Sequence, residues 1–326
     1  MVRSDAGGDG GAAGMGGRMS VRYLLGVNTC FAVKRWPEPE RWAELVAETL
    51  GLDLVQHSLD LVDLDADAPL ADQAAAVAGA CARRGITVHS VFTGLGAYGR
   101  NLLLDPDAGN RTRALAWLRR AVDFAALVGA RAAGGHIGAF SVADWRDPAR
   151  RAALWRSLER DLRELSGHAA VRGLDAVLFE NMAARREPST IAEVESLLAP
   201  GDESHAAVAL CLDVGHQCVA GTAGDERDPY AWLRRFGARA PVVHLQQSDA
   251  DADHHWPFTV ERNAAGRIDA DRVLDALDAS GAEEVLLVLE VIPTFEADDD
   301  GVVAGLVESV TYWRDALARR DGSGAG

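Results

Sequence analysis

Three carboxylates in this 326-residue chain each close a run of apolar residues: Glu180 follows Ala-Val-Leu-Phe, Asp213 follows Ala-Leu-Cys-Leu, and Glu290 follows Leu-Leu-Val-Leu. Runs of that length and composition read as buried strands. A carboxylate carried into such surroundings is costly unless it is paired or bound to a cation. Ion pairing with arginine is one explanation, and metal binding is the other. One of the histidines at the ends of other apolar runs can add an imidazole. Three carboxylates and one nitrogen form an oxygen-rich set suited to one divalent metal, with Mn²⁺ first, Mg²⁺ or Co²⁺ next, and Zn²⁺ as runner-up.

The histidines point the same way. Of nine, seven (His57, His89, His136, His216, His244, His254 and His255) fall at the ends of candidate strands or in the loops after them, and only His168 and His205 fall on the other side. Random placement would spread them over both. With Asn28 and Gln246 they supply groups that can ligate a metal or hydrogen-bond a polyol. His57, His89, His136, His216, Gln246, His254, His255 and Arg100 are therefore the candidate substrate contacts.

Positioning these residues together takes strands that share one C-terminal end. Apolar runs at 23–28, 52–57, 86–92, 130–136, 174–180, 208–213, 241–246 and 285–292 alternate with helical stretches near 39–50, 70–84, 108–128, 148–170, 189–199, 229–238, 270–280 and 299–319. Near-continuous apolar strands indicate a parallel sheet covered by helices. Eight units averaging roughly 38 residues fit an α/β fold of the (β/α)₈ TIM-barrel type, whose active sites lie at the C-terminal ends of the strands. An open doubly wound sheet is the alternative. Pro37, Pro39, Pro148 and the Pro188-Ser189-Thr190 segment sit at helix starts, and Gly51, Gly85, Gly129 and Gly173 sit where left-handed helix caps belong.

With no linker or composition break, one domain is expected over 21–320, after a disordered Gly/Ala-rich tail (1–20) and before a flexible end (321–326). The tail lacks the apolar core of a secretory signal, and Met19 offers an alternative start. A hydrophobic content of 48% suits a sizeable core, and a formal charge of −16 opposes binding to nucleic acid or anionic membranes. No apolar stretch approaches the ~20 residues of a membrane span. Cys30, Cys81, Cys211 and Cys218 form no C-x-x-C pair and read as reduced thiols of a cytoplasmic protein. A homo-oligomer is compatible with all of this. Gly94-Leu-Gly-Ala-Tyr-Gly99 matches G-x-G-x-x-G, but it lies in the third unit and well before the next helix, so it reads as a flexible loop over the site rather than a nucleotide-binding turn.

The segments Leu-Phe-Glu180-Asn, Leu-Asp213-Val-Gly-His216, Val-His244-Leu-Gln and Val-Leu-Glu290 resemble the xylose isomerase-like TIM-barrel superfamily of sugar isomerases, epimerases and endonuclease IV-type enzymes. The resemblance implies Glu180, Asp213, His244 and Glu290 as metal ligands and His216 as a substrate contact. Within that superfamily, His244-Leu-Gln-Gln-Ser-Asp249, Asp253-His-His-Trp-Pro-Phe-Thr259 and Gln56-His57-Ser58-Leu59-Asp60 resemble the tetrulose-phosphate (erythrulose phosphate) epimerases and isomerases. Ketose 3-epimerases of free sugars place a Glu six residues after the first ligand and an Arg six after the His, where this chain has Arg186 and Ala250. The departure favours a substrate with different terminal groups.

The implied reaction is proton transfer beside a ketose carbonyl through an enediolate, with Glu180 and Glu290 as base and acid. Epimerisation and aldose–ketose isomerisation both remain open. Lys34, Arg100, Arg185, Arg186, His254 and His255 all fall in loops at the catalytic end, which suggests a phosphorylated substrate. Rim pairing with Glu187, Asp249 or Asp251 is the competing explanation. Two rival functions are an endonuclease IV-like phosphodiesterase, which needs a multi-zinc cluster and a basic face, and a non-catalytic, metal-stabilised sugar-binding barrel.

Overall fold

The computed structural model describes residues 21–65 and 67–323; the expectations for 1–20, Met19 included, and for 324–326 lie outside the described residues. Eight parallel strands follow one another around a closed barrel: β1 (Arg22–Asn28), β2 (Leu54–Ser58), β3 (Thr87–Phe92), β4 (Ala132–Gly135), β5 (Ala176–Glu180), β6 (Ala207–Asp213), β7 (Val242–Leu245) and β8 (Glu284–Leu289), with β8 pairing back onto β1. Closure excludes the open doubly wound sheet. The principal covering helices are α1 (Pro39–Glu44), α2 (Leu70–Arg83), α3 (Ala108–Val128), α4 (Pro148–Val171), α5 (Ile191–Leu197), α6 (Pro229–Phe236), α7 (Ala270–Ser280) and α8 (Asp299–Ser323).

Several helix ends depart from expectation: α1 is α-helical only to Glu44 and continues as a π-helical turn over Leu45–Thr49, and α6 ends at Phe236 rather than 238. α5 is shorter than 189–199, because Leu198 turns extended and Ala199 forms a bridge with Val208 on β6. α8 continues to Ser323, past the expected 319. The caps follow the sequence. Asp107, Asp147 and Asp228 accept the first free amides of α3, α4 and α6, and Thr190 with Glu193 forms a capping box on α5. Gly129 ends α3 at φ 77°, a left-handed conformation that favours glycine.

Side chains alternate along each strand. Phe92, Leu178, Cys211, Val242, Leu286 and Val288 fill the barrel interior, while Val55, Val91, Val177, Leu212, Val243 and Leu287 face the helices. The interior parity continues upward to Gln56, Glu180, Asp213, His244 and Glu290, so these polar side chains sit on an apolar plug. Register adds a second constraint: Asp213 pairs with His244, and His244 with Val288. β4 approaches β5 closely through Gly134, where an added Cβ would stand 1.8 Å from the Leu178 carbonyl oxygen. All four cysteines are free thiols. Among the described residues no helix is long and apolar enough to cross a membrane.

Candidate metal centre

Glu180, Asp213, His244 and Glu290 converge above the interior plug, with one ligand atom of each lying within 4.8 Å of the others. All four are buried. His244 Nδ1 stands 3.1 Å from Glu180 Oε1 and 2.9 Å from Glu290 Oε2. Glu290 Oε2 is buried without a hydrogen bond. Burial opposes charge on His244, yet the Cys211 sulfur and the Glu290 and Glu180 carboxylates hold its imidazole well above its ordinary range. The cluster therefore demands positive charge, and its donor set fits a divalent cation.

Neutral groups, most of them from the first half of the barrel, orient these residues. The Nε2–H of His244 donates to Gln56 Oε1 at 2.6 Å, which leaves Nδ1 for a cation. Asn28 Nδ2 donates to the same Gln56 oxygen at 2.9 Å and to Glu290 Oε1 at 3.0 Å, and Gln56 Nε2 donates to Ser90 Oγ at 3.1 Å. Tyr98 donates its hydroxyl to Glu180 Oε2 at 2.6 Å. Gln246 Nε2 donates to both Asp213 oxygens, at 3.1 and 3.2 Å. In Glu180 and Glu290, then, one oxygen is held by the chain and the other faces the centre.

A cavity of about 400 Å³ opens above the cluster, lined among others by Tyr98, Met182, Glu187, His216, His255 and Glu290. The Gly215 amide donates to Asp213 Oδ1 at 2.6 Å, turning the chain so that His216 overhangs the site. His216 donates Nδ1–H to the Asn181 carbonyl at 2.6 Å and faces Asp253 Oδ2 through Nε2 at 3.2 Å. His255 Nε2 lies 3.3 Å from the same oxygen. Burial opposes protonation of His255, but Asp253 and Glu290 push it up to about 9. Asp213, His216 and His255 form a second group of metal-competent donors. Burial, reinforced by the Glu180 charge, pushes the Glu187 carboxyl up to about 7 against the opposing pull of His216.

Several expected contacts lie elsewhere. His57, one residue beyond the inward-facing Gln56, points to the helix layer and packs against Trp42 and Phe124, with ring centroids at 5.3 and 5.8 Å. His89, next to the inward-facing Ser90, has Arg131, Glu284 and Asp175 as its charged neighbours, at the N-terminal ends of β4, β8 and β5. Neither reaches the cavity. Arg100 is exposed, with its guanidinium 5.8 Å from the Trp117 ring on α3. Arg185 and Arg186 donate to the carbonyls of Ala220 and Phe140, and Lys34 lies over Phe295. Of the six expected cations, His254 and His255 line the cavity. His254 stacks on Trp256 and lies 2.9 Å from Asp249. His136 reaches the site indirectly, by stacking on Tyr98. Gln56, Tyr98, Glu187 and Asp253 were not singled out as site residues from sequence. Parity counted from the apolar Leu54 picks out Gln56; Tyr98, Asp253 and Glu187 lie in segments that the sequence marks, but nothing local gives their contacts.

The profile of the family described as xylose isomerase-like TIM barrel matches residues 44–315. The chain is 32% identical over 299 residues to D-erythrulose 1-phosphate 3-epimerase of Brucella abortus (strain 2308), covering 90% of this chain and 96% of that one. A crystal structure from Rhodospirillum rubrum ATCC 11170, described only provisionally as a xylose isomerase, superposes with a TM-score of 0.82 at 33% identity, covering 90% of this chain and 99% of that one. D-psicose 3-epimerase of Clostridium cellulolyticum H10, solved with D-tagatose, shares the fold at a TM-score of 0.66 and 16% identity, with coverage of 90% and 99%.

Proposed function

The chain belongs to the xylose isomerase-like TIM-barrel family and is an isomerase-class enzyme acting on carbohydrate, and on that premise we propose that it epimerises a short ketose phosphate of the erythrulose 1-phosphate kind. The observation that carries the reading is the convergence of Glu180, Asp213, His244 and Glu290 on one buried point beneath the cavity. A divalent cation held there, Mn²⁺ first, would offset negative charge developing on the ketose oxygens. Glu180 removes the proton from the carbon next to the carbonyl, leaving an enediolate, and Glu290 returns a proton to the opposite face. Their approach to His244 from β5 and β8 supports this division. His216 holds a hydroxyl, while Gln246, expected as a substrate contact, is buried with its amide spent on Asp213, Asp253 and the His255 amide. His254 and His255 take the phosphate, a role supported by their place in the cavity wall and by the similarity to the Brucella enzyme.

The test compares D-erythrulose 1-phosphate with free erythrulose in ²H₂O, with Mn²⁺ and after chelation. Deuterium entering C3 together with the opposite epimer, faster for the phosphate ester and abolished by chelation, is expected. His254→Ala should hurt the phosphorylated substrate selectively, and Arg100→Ala should leave both unchanged. A preference for the free sugar overturns the phosphate assignment, and full activity without metal overturns the centre. The donor group of Asp213, His216 and His255 is the one observation that favours a phosphodiesterase. The charge of −16 opposes it, and cleavage of abasic DNA with Zn²⁺ would decide for it.

A further inference from the structure

Gly94–Gly99, the segment expected to cover the site, is also tied to the metal centre at one end and to a neighbouring loop at the other. Leu95–Tyr98 forms a single helical turn. Asp60, just beyond β2, accepts the Leu95 amide at 2.6 Å and the Gly96 amide at 3.1 Å. A Cβ at Gly94 would stand 2.2 Å from the Asp60 carboxyl carbon, so this packing needs glycine there. At the far end of the turn the Tyr98 ring stacks on His136, with centroids 5.0 Å apart and planes at 24°. Its hydroxyl donates to Glu180 Oε2 at 2.6 Å.

We propose that Tyr98 is a positioning residue for Glu180, held in place by the turn that Asp60 anchors. By occupying Oε2 it leaves Oε1, the oxygen 3.1 Å from His244 Nδ1, as the one presented to the cation position. The terminal torsion of a glutamate is otherwise broad and lets the two oxygens exchange. Hydrogen-bond partners of metal-bound carboxylates typically change affinity or activity ~10–100-fold when removed. The consequence for turnover rests on the proposed function; the consequence for metal binding does not.

The experiment uses the full chain with Tyr98→Phe, Asp60→Ala, Asp60→Asn and the Tyr98→Phe/Asp60→Ala double variant. Mn²⁺ affinity is measured by calorimetric titration and turnover with the ketose phosphate. Tyr98→Phe keeps the ring on His136, so folding should be retained. A fall in kcat of about 10–100-fold, with KM near the wild-type value and Mn²⁺ binding weakened about tenfold, is expected. Asp60→Ala should reproduce this, Asp60→Asn should restore most of it by keeping an acceptor oxygen, and the double variant should be no worse than Tyr98→Phe alone. Wild-type kcat and Mn²⁺ affinity in Tyr98→Phe, or losses that multiply in the double variant, overturn the proposal. A wild-type chain that epimerises no ketose overturns the proposed function instead, and the Mn²⁺ titrations still decide the role of Tyr98.

Discussion

Strands β5 to β8 carry Glu180, Asp213, His244 and Glu290 to the mouth of the barrel, directly or one residue past the strand, whereas β1 to β4 bring Asn28, Gln56, Ser90 and Gly134 to the interior. One half of the ring supplies the charged groups, and the other supplies neutral amides, a hydroxyl and space; Gln246, just past β7, is a neutral amide on the charged side. The division has a physical basis. Amide groups fix a carboxylate or an imidazole by hydrogen bonds without competing for the cation, and a glycine lets neighbouring strands close up. A further cation in the first half would instead satisfy the carboxylates that face the proposed metal position.

Three changes test that division, in descending order of effect. Glu180→Gln and Glu290→Gln, both in the charged half, should each lower kcat by about 10²–10⁴-fold, the usual contribution of a positioned proton-transfer group. Steady-state rates check this, and near-wild-type turnover in either variant would mean that the acid–base pair lies elsewhere. Gln56→Leu, in the neutral half, removes the acceptor for His244 Nε2–H and the partner of Asn28. It should weaken metal binding or turnover about 10–100-fold. A Gln56→Leu protein that titrates with Mn²⁺ like wild type would show that the first half only fills space.

The smallest effect concerns Glu187, which lies on neither half but on the loop after β5. Burial raises its carboxyl from the ordinary 4.5 to about 7, so between those values the folded chain binds more protons than the unfolded one. Stability must therefore decline as pH rises through that window. Glu187→Gln should remove this decline, so that its melting temperature relative to wild type is higher at pH 8 than at pH 5. An equal difference at both values would show that the carboxyl titrates normally.

The buried carboxylates at the strand ends and the barrel are legible in the sequence because both rest on local signals. Each apolar run followed by a carboxylate or histidine declares a buried strand with a polar end, and strict β/α alternation declares the parallel sheet. Which neighbouring residue turns inward is harder to read where the run is short. His57 and His89 sit one position away from the inward-facing Gln56 and Ser90, and a single step exchanges the cavity for the helix layer. The arginines near the mouth are legible as charge, but the carbonyls and rings that divert them are not.

The sequence alone marked Glu180, Asp213 and Glu290 as groups in need of a countercharge, since the cost of burying them without one is a property of the residues and their apolar neighbours. Only the tertiary structure decided how those residues are oriented. Asn28 reaches Glu290 across 262 positions, Gln56 reaches His244 across 188, and Tyr98 reaches Glu180 across 82. Closing the ring of strands makes such pairs neighbours, and hydrogen-bond partners that far apart in the chain leave no mark in the local pattern around either residue.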